Sequence, residues 1–167
     1  MSRDRFYVTT PIYYVNDRPH VGHAYTTVLA DVLAGYHRML GIPTWFLTGT
    51  DEHGQKVQDS AAARGTTPQA LCDEMAGHYR ELFARLEIRN DDFIRTTEPR
   101  HTTIVRRVLT ALHERGDIYL GTYEGWYCTR CERYWTDKEV EERGGGRCPD
   151  QPELHPVARL AEENYYF

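Results

Sequence analysis

The sequence is poor in lysine, in net positive charge and in long apolar stretches. Lys56 and Lys138 are its only lysines, and 25 acidic against 20 basic residues give a net charge of −5. This acidic balance argues against a dedicated basic coat for nucleic acid. No apolar run approaches the roughly 20 residues that a membrane-spanning helix needs, so no membrane partner is expected. No signal peptide precedes the first strand-like run, which predicts a cytoplasmic protein.

Predicted strands and helices alternate through the first two-thirds of the chain. Strand-like runs at 6–10, 44–48 and 92–96 are each followed by helical patterns of apolar residues. This order predicts an α/β fold with a parallel sheet. The composition then changes, because tyrosine, tryptophan and glycine become frequent, and this predicts a small antiparallel unit. We therefore predict one part over 1–116 and a second over 117–167.

The tetrad His20-Val21-Gly22-His23 stands where a proline-bounded loop meets the first predicted helix. That helix shows apolar residues at helical spacing, namely Val21, Tyr25, Val28, Leu29, Val32, Leu33, Tyr36 and Leu40. A helix N-terminus offers unpaired N–H groups and a positive dipole end, which favour phosphate. His20 and His23 share one helix face and can donate hydrogen bonds to phosphate oxygens as charge builds in a transition state. Gly22 lets a flat base approach closely. The tetrad thus predicts nucleotidyl transfer from ATP.

A second polar motif follows the second predicted strand. Asp51 and His53 come directly after the run 44–48, just as His20 and His23 come after the first strand. Ligands of parallel sheets bind beyond the carboxyl ends of the strands. Both motifs are therefore expected at one edge of one sheet, although 28 positions separate His23 from Asp51.

Three of the four cysteines cluster in the second part. Cys128 and Cys131 form a C-x2-C knuckle and Cys148 follows, a pattern typical of tetrahedral zinc sites. The usual fourth position, three residues after Cys148, holds Gln151, which is a poor zinc ligand. His155 is the nearest substitute, and we predict a zinc site of three cysteines and His155. The alternative is a metal-free knuckle held together by its aromatic residues.

These motifs together resemble those of bacterial methionyl-tRNA synthetases, and the resemblance covers essentially the whole chain. It is carried by the segments 6–16, 19–25, 46–54 and 91–97, and by the cysteine knuckle followed by 162–167. The resemblance implies the first half of a class I synthetase Rossmann-like parallel sheet, followed by the start of a small zinc-knuckle connective insertion. It also implies that methionine and ATP form methionyl-adenylate with Mg²⁺ on the polyphosphate, and that the methionyl group passes to tRNA(Met).

The resemblance further implies residue roles. His20 and His23 would stabilise the pentavalent phosphorus, and Asp51 would hold the methionine ammonium group. The implied ATP contacts are Asn16, His20, Gly22 and His23. The implied methionine contacts are Pro11, Ile12, Tyr14 and Asp51.

The family pattern also needs a loop of the form Lys-Met-Ser-Lys-Ser, and neither lysine of this chain has that context. We therefore expect an N-terminal portion of a synthetase, truncated or split, that pairs with a missing C-terminal half and is at best weakly active alone. Two other classes stay open at this stage. One is a small nucleotidylyltransferase with an H-x-G-H tetrad, although the Gly-x-Phe-Asp-Pro loop of that class is absent. The other is a tRNA-binding zinc module with a vestigial ATP site.

Overall fold

A computed structural model describes residues 5–153 and 155–167 and separates the chain into two compact units. The first unit ends at Val105 and the second runs from Arg106 to Phe167. The division falls inside a helix, so the domain boundary after residue 116 stays a prediction. Among the described residues, no helix is long and apolar enough to cross a membrane.

Four parallel strands and their connecting helices form the first unit. In chain order the elements are β1 (Phe6–Thr9), β2 (Tyr13–Tyr14), α1 (Val21–Met39), β3 (Thr44–Asp51), α2 (Gln55–Ala63), α3 (Pro68–Arg85), β4 (Asp92–Arg95) and α4 (Pro99–Glu114), the last of which continues into the second unit. β3 is central: β1 and β2 pair with successive parts of one edge, and β4 pairs with the other. The predicted parallel α/β sheet is confirmed.

Two strand predictions were wrong in detail. β3 continues through Asp51, so this residue ends the strand and does not follow it. The segment predicted as a loop contains β2, in which Tyr14 lies opposite Asp51. The chain stays on the edge of β3 because the Thr10 N–H donates to the Leu47 oxygen at 3.2 Å. Pro11 has no N–H to donate, which interrupts the ladder between β1 and β2.

Helix α3 supplies most of the larger core. Its N-terminus is set by Thr67, whose hydroxyl accepts from the Ala70 N–H, and by Pro68 in the first turn. The sequence predicts an apolar stripe on this helix, and three of its five residues are buried, namely Leu71, Met75 and Tyr79, whereas Leu82 and Leu86 are not. The three buried residues pack with residues of β2, α2 and β4, so α3 anchors the sheet edge where polar motifs were predicted.

Helix α1 packs through its small side chains and not through its apolar stripe. The residues that it buries are Thr27, Ala30, Asp31 and Ala34. The larger apolar side chains of the predicted stripe are exposed, from 41% for Val28 to 84% for Val21. Short side chains let the helix lie close to Phe46 of β3. Ile104, Val108 and Leu109 of α4 are likewise exposed, and that helix buries no residue.

The second unit is a small antiparallel sheet. Its further elements are β5 (Tyr119–Cys128), β6 (Arg133–Trp135), α5 (Asp137–Glu142) and β7 (Ala158–Tyr166), with the strands in the order β6-β5-β7. The predicted antiparallel pairing is therefore present. α5 was not predicted, although Thr136 and Glu139 form a capping box that marks its start.

Candidate functional site

The two tetrad histidines form a capping box at the start of α1. The His20 Nδ1 accepts a hydrogen bond from the Gly22 N–H at 3.1 Å. The His23 Nδ1 accepts from the His20 N–H, also at 3.1 Å. The rings stack with their centroids 3.9 Å apart. Both histidines therefore satisfy backbone donors of the helix end through one nitrogen and keep the other nitrogen for a ligand.

His23 is enclosed more than His20. The Tyr13 and Tyr79 rings approach its ring edge to face, with centroid distances of 4.8 and 5.3 Å. Burial, and next the neighbouring His20, lower the pKa of His23 from its ordinary value. Lowering this pKa keeps the ring neutral near pH 7, which is the form that accepts the His20 N–H.

A cleft of about 640 Å³ opens in front of the tetrad. It brings together most of the predicted ATP and methionine contacts, namely Pro11, Ile12, Tyr14, Asn16, His20, Gly22 and His23. Asp17, Arg18 and Thr26 also line it. Residues from β2, the following loop and α1 thus converge, because β2 returns the chain to the sheet edge beside the start of the helix.

Asp51 does not line this cleft. It is half-buried at the carboxyl end of β3, and its register partner Tyr14 does line the cleft. The predicted convergence of both motifs on one sheet edge is therefore present in the backbone.

Directly behind Asp51 lies an ion-pair network that the sequence analysis missed. The Glu52 side chain is fully buried, and its Oε1 accepts from Arg95 Nε at 2.6 Å and from the Thr50 hydroxyl at 2.6 Å. The Thr97 hydroxyl donates to Oε2. Arg95 also binds Asp73 of α3 at 2.6 Å. The network ties the carboxyl ends of β3 and β4 to α3, and Arg95 could have been suggested by the same strand-end rule as Asp51.

Three thiols converge in the second unit. The ligand atoms of Cys128, Cys131 and Cys148 lie within 4.8 Å of one another, and all three are free cysteines. The sulfurs of Cys131 and Cys148 are 3.6 Å apart. Tetrahedral zinc with Zn–S bonds of about 2.3 Å requires sulfurs about 3.8 Å apart. The donor set and its spacing therefore suit a metal ion.

His155 lies beside this cluster without joining it. Its backbone oxygen accepts from the Cys148 N–H at 3.2 Å, so the chain does fold back onto the knuckle. Its ring is not among the ligand atoms that converge. The assignment of His155 as a fourth ligand stays a prediction.

Comparisons with known proteins bear on both units. The sequence profile of the family "tRNA synthetases class I (M)" matches residues 6–155. The methionine–tRNA ligase of Thermotoga maritima is 49% identical over 164 residues, which are 98% of this chain and 26% of that protein. For the Streptomyces coelicolor enzyme the identity is 51% over 168 residues, 97% of this chain and 31% of that protein.

The solved structures agree. Mycobacterium tuberculosis methionyl-tRNA synthetase in complex with methionyl-adenylate superposes with a TM-score of 0.85 at 38% identity. The match covers 96% of this chain and 31% of that one. The chain thus spans less than a third of the length of these relatives.

Proposed function

The chain belongs to the class I tRNA synthetase (M) family, and from this premise we propose that it forms the ATP- and methionine-binding part of a methionine–tRNA ligase. The observation that supports this most directly is the cleft at the start of α1. It is lined both by His20 and His23 and by Ile12 and Tyr14. One cavity thereby offers phosphate donors next to an apolar wall, which is what joining ATP to an apolar amino acid requires.

The first step would form methionyl-adenylate. A carboxylate oxygen of methionine attacks the α-phosphorus of ATP, and the bond to the leaving pyrophosphate breaks. His20 and His23 would donate hydrogen bonds to the phosphoryl oxygens as negative charge accumulates there. The N–H groups at the start of α1 add a fixed positive field in the same place.

The remaining predicted contacts would bind and orient the two substrates. Asn16 would contact ATP, and Gly22 would leave room for it. Asp51 would pair with the methionine ammonium group, which orients the carboxylate for attack. Pro11, Ile12 and Tyr14 would pack against the methionine side chain. Mg²⁺ bound to the polyphosphate would supply charge neutralisation.

In the second step the methionyl group would pass to the 3′ end of tRNA(Met), which places the reaction in the cytoplasm with translation. The residues for that step, and the lysine-bearing loop of the family pattern, would belong to the part of the longer relatives that this sequence does not cover. The exposed apolar side chains of α1, such as Val32 and Leu33, offer a surface for that part. Neither open alternative, the nucleotidylyltransferase or the tRNA-binding module, is favoured by a feature of the cleft.

Methionine-dependent ATP–pyrophosphate exchange tests the proposal. We would measure it with the chain alone and with the chain fused to the C-terminal remainder of the Streptomyces coelicolor ligase. We expect exchange by the fusion that stops when methionine is omitted, and at most trace exchange by the chain alone. A fusion that folds and binds methionine without exchange would contradict the proposal. Adenylyl transfer to a phosphorylated small molecule would instead support the nucleotidylyltransferase class.

We further propose that the three thiols of the second unit hold Zn²⁺, with His155 as the predicted fourth ligand. Bound zinc would supply structural cross-linking of the small sheet, whose core contains Cys128 and Cys148. The sulfur atoms of the three cysteines lie within 4.8 Å of one another, and a divalent cation between them compensates the negative charges of their thiolates.

Metal analysis of protein purified without chelator should find about one zinc per chain. Cys131→Ser should lose the metal, because only two of the three thiolate ligands then remain. Cys72→Ser is the matched control, since Cys72 is buried in the first unit and should leave zinc content unchanged. His155→Ala should speed zinc loss to a chelator if His155 is a ligand. Zinc-free unmutated protein would contradict the site.

A further inference from the structure

Thr96, the first residue after β4, forms hydrogen bonds on both sides of Asp51. Its N–H donates to the Thr50 carbonyl oxygen at 3.3 Å. Its hydroxyl accepts from the Glu52 N–H at 2.9 Å. All three bonded residues are buried, with Thr96 6%, Thr50 0% and Glu52 4% exposed. Both hydrogen bonds are therefore shielded from competition with bulk water, and none of the proposed substrate contacts involves Thr96.

The two hydrogen bonds fix the backbone torsions of Asp51. The Thr50 carbonyl belongs to the peptide group that precedes Asp51, and the Glu52 N–H belongs to the peptide group that follows it. Because peptide groups are planar, the only soft backbone torsions of Asp51 are its φ and ψ, which relate these two groups. Holding both groups to one residue sets both torsions, and the direction in which the Asp51 side chain leaves the backbone is set with them.

The hydroxyl of Thr96 is needed because the backbone pairing of β3 with β4 ends at this point. The last register pair of the two strands is Thr50 with Arg95. Beyond this pair, the Glu52 N–H is bonded to the Thr96 side chain. Valine has the same branched shape as threonine but offers no acceptor, so it would leave a buried N–H without its partner. Serine keeps the acceptor.

The Asp51 side chain lies on the other face of this strand end. Side chains alternate between the two faces of a strand. Thr50 and Glu52 are buried, whereas Asp51 between them is half-buried. Tyr14, the register partner of Asp51 in β2, lines the cleft in front of the tetrad. The buried face thus holds the chain in place, and the opposite face carries the carboxylate beside the strand that lines the cleft.

We propose that Thr96 is a positioning residue of the adenylation site, which orients Asp51 for the ammonium group of methionine. This role rests on the proposed function, and in particular on the proposed role of Asp51. The hydrogen bond from the Glu52 N–H to the Thr96 hydroxyl can nevertheless be measured without any reaction. Failure of the hydrogen bond and failure of the proposed function therefore give different results.

Amide hydrogen exchange with solvent, followed by nuclear magnetic resonance of the ¹⁵N-labelled chain, tests the hydrogen bond directly. We expect the Glu52 N–H to exchange slowly in the unmutated chain. Thr96→Val should speed this exchange by about tenfold relative to that of the Phe46 N–H, which bonds Asp91 elsewhere on β3 and reports the stability of the strand. Thr96→Ser should keep the slow exchange of the Glu52 N–H.

Thr48→Val is the matched control for the loss of a buried hydroxyl. Thr48 also belongs to β3 and is 1% exposed, but its hydroxyl bonds that of Thr10 at 2.7 Å. Its replacement should leave the exchange of the Glu52 N–H unchanged relative to that of the Phe46 N–H. Rapid exchange of the Glu52 N–H in the unmutated chain overturns the proposal without any variant. Slow exchange that survives Thr96→Val overturns it as well, as does an equal effect of Thr48→Val.

The fusion with the Streptomyces coelicolor remainder tests the consequence for methionine. In ATP–pyrophosphate exchange, Thr96→Val should lower kcat/KM for methionine by about 10- to 100-fold and leave the KM for ATP within about twofold. Thr48→Val should leave both parameters within about twofold. In an Asp51→Asn background, Thr96→Val should cause no further loss, because the carboxylate that it orients is already gone. A purely structural role of Thr96 would instead give the same loss in both backgrounds.

Two further outcomes separate the inference from its premise. An active fusion whose kcat/KM for methionine is unaffected by Asp51→Asn would overturn the positioning role, since Asp51 would then have no part in binding the ammonium group. Absence of ATP–pyrophosphate exchange in the unmutated fusion would count against the proposed function and leave the amide result intact.

Discussion

Replacing Arg95 with methionine should lower the free energy of unfolding of the chain by about 3–5 kcal/mol. The reason is the Glu52 carboxylate, which is fully buried and pairs with the Arg95 guanidinium at 2.6 Å. Without the guanidinium, this charge keeps the neutral hydroxyl donors of Thr50 and Thr97 but loses its paired cation. Desolvation of an unpaired carboxylate is expensive, and single domains are stable by only about 5–15 kcal/mol.

Arg100 provides the matched comparison for this measurement. It also binds two carboxylates, Asp92 and Glu98, at 2.6 and 2.7 Å, but its side chain is 49% exposed. Arg100→Met should therefore cost no more than about 1 kcal/mol. Urea unfolding followed by circular dichroism measures both losses. If Arg95→Met and Arg100→Met lowered the free energy of unfolding equally, burial of the ion pair would not determine its contribution to stability.

A double-mutant cycle separates pairing from packing. Glu52→Gln keeps the shape of the side chain and an acceptor for Thr50 but removes the buried charge. In the Arg95→Met background this change should restore part of the lost stability, whereas in the unmutated background it should destabilise the chain. Additive effects of the two substitutions would show that the ion pair contributes no specific coupling. Because Glu52 follows Asp51, the same network keeps the proposed ammonium-binding carboxylate in place.

The convergence of His20, His23 and Asp51 could be predicted from the sequence because it depends only on backbone rules. Alternating strands and helices imply a parallel sheet, and parallel strands bring their carboxyl ends to one edge. The exact end of β3 mattered little to this inference. β2 was not predicted, because a strand of two residues is too short for its sequence pattern to be distinguished from that of a loop.

Periodicity was less informative about packing. The stripes of α1 and α3 look equally apolar in the sequence, but only α3 buries its stripe against the sheet. α1 packs through alanine and threonine, whose small size lets the helix approach β3. A hydrophobic pattern identifies a helix and one of its faces, but it does not identify what covers that face.

The contacts of Tyr79 and Arg95 could not be derived from the sequence at all. Tyr79 has a normal place in the α3 stripe, and nothing local indicates that its hydroxyl meets a histidine 56 positions away. Arg95 meets Glu52 across 43 positions. Such side-chain pairs depend on the register of β3 with β4 and on the rotation of α3, which only the assembled core determines.

Two single variants, His20→Asn and His20→Ala, should distinguish the structural role of His20 from its catalytic role. In the fusion, His20→Asn should lower kcat for methionine-dependent exchange by about 10²–10³-fold, since one donor to the developing phosphoryl charge is lost. The KM for methionine should change little, because the lost interaction belongs to the transition state. Asparagine remains a good N-cap, so the free energy of unfolding of the chain should be nearly unchanged.

His20→Ala removes the cap together with the donor. It should match His20→Asn in kcat and, in addition, lower the free energy of unfolding by about 1 kcal/mol, because the Gly22 N–H loses its acceptor. His113→Asn, in the second unit, is the matched control and should leave exchange unchanged. If His20→Asn kept the full rate while His20→Ala lost it, His20 would act only as a helix cap. We expect both variants to lose kcat equally and only His20→Ala to lose stability. This result would show that the Nε2–H of His20 acts in the reaction and that its Nδ1 caps the helix.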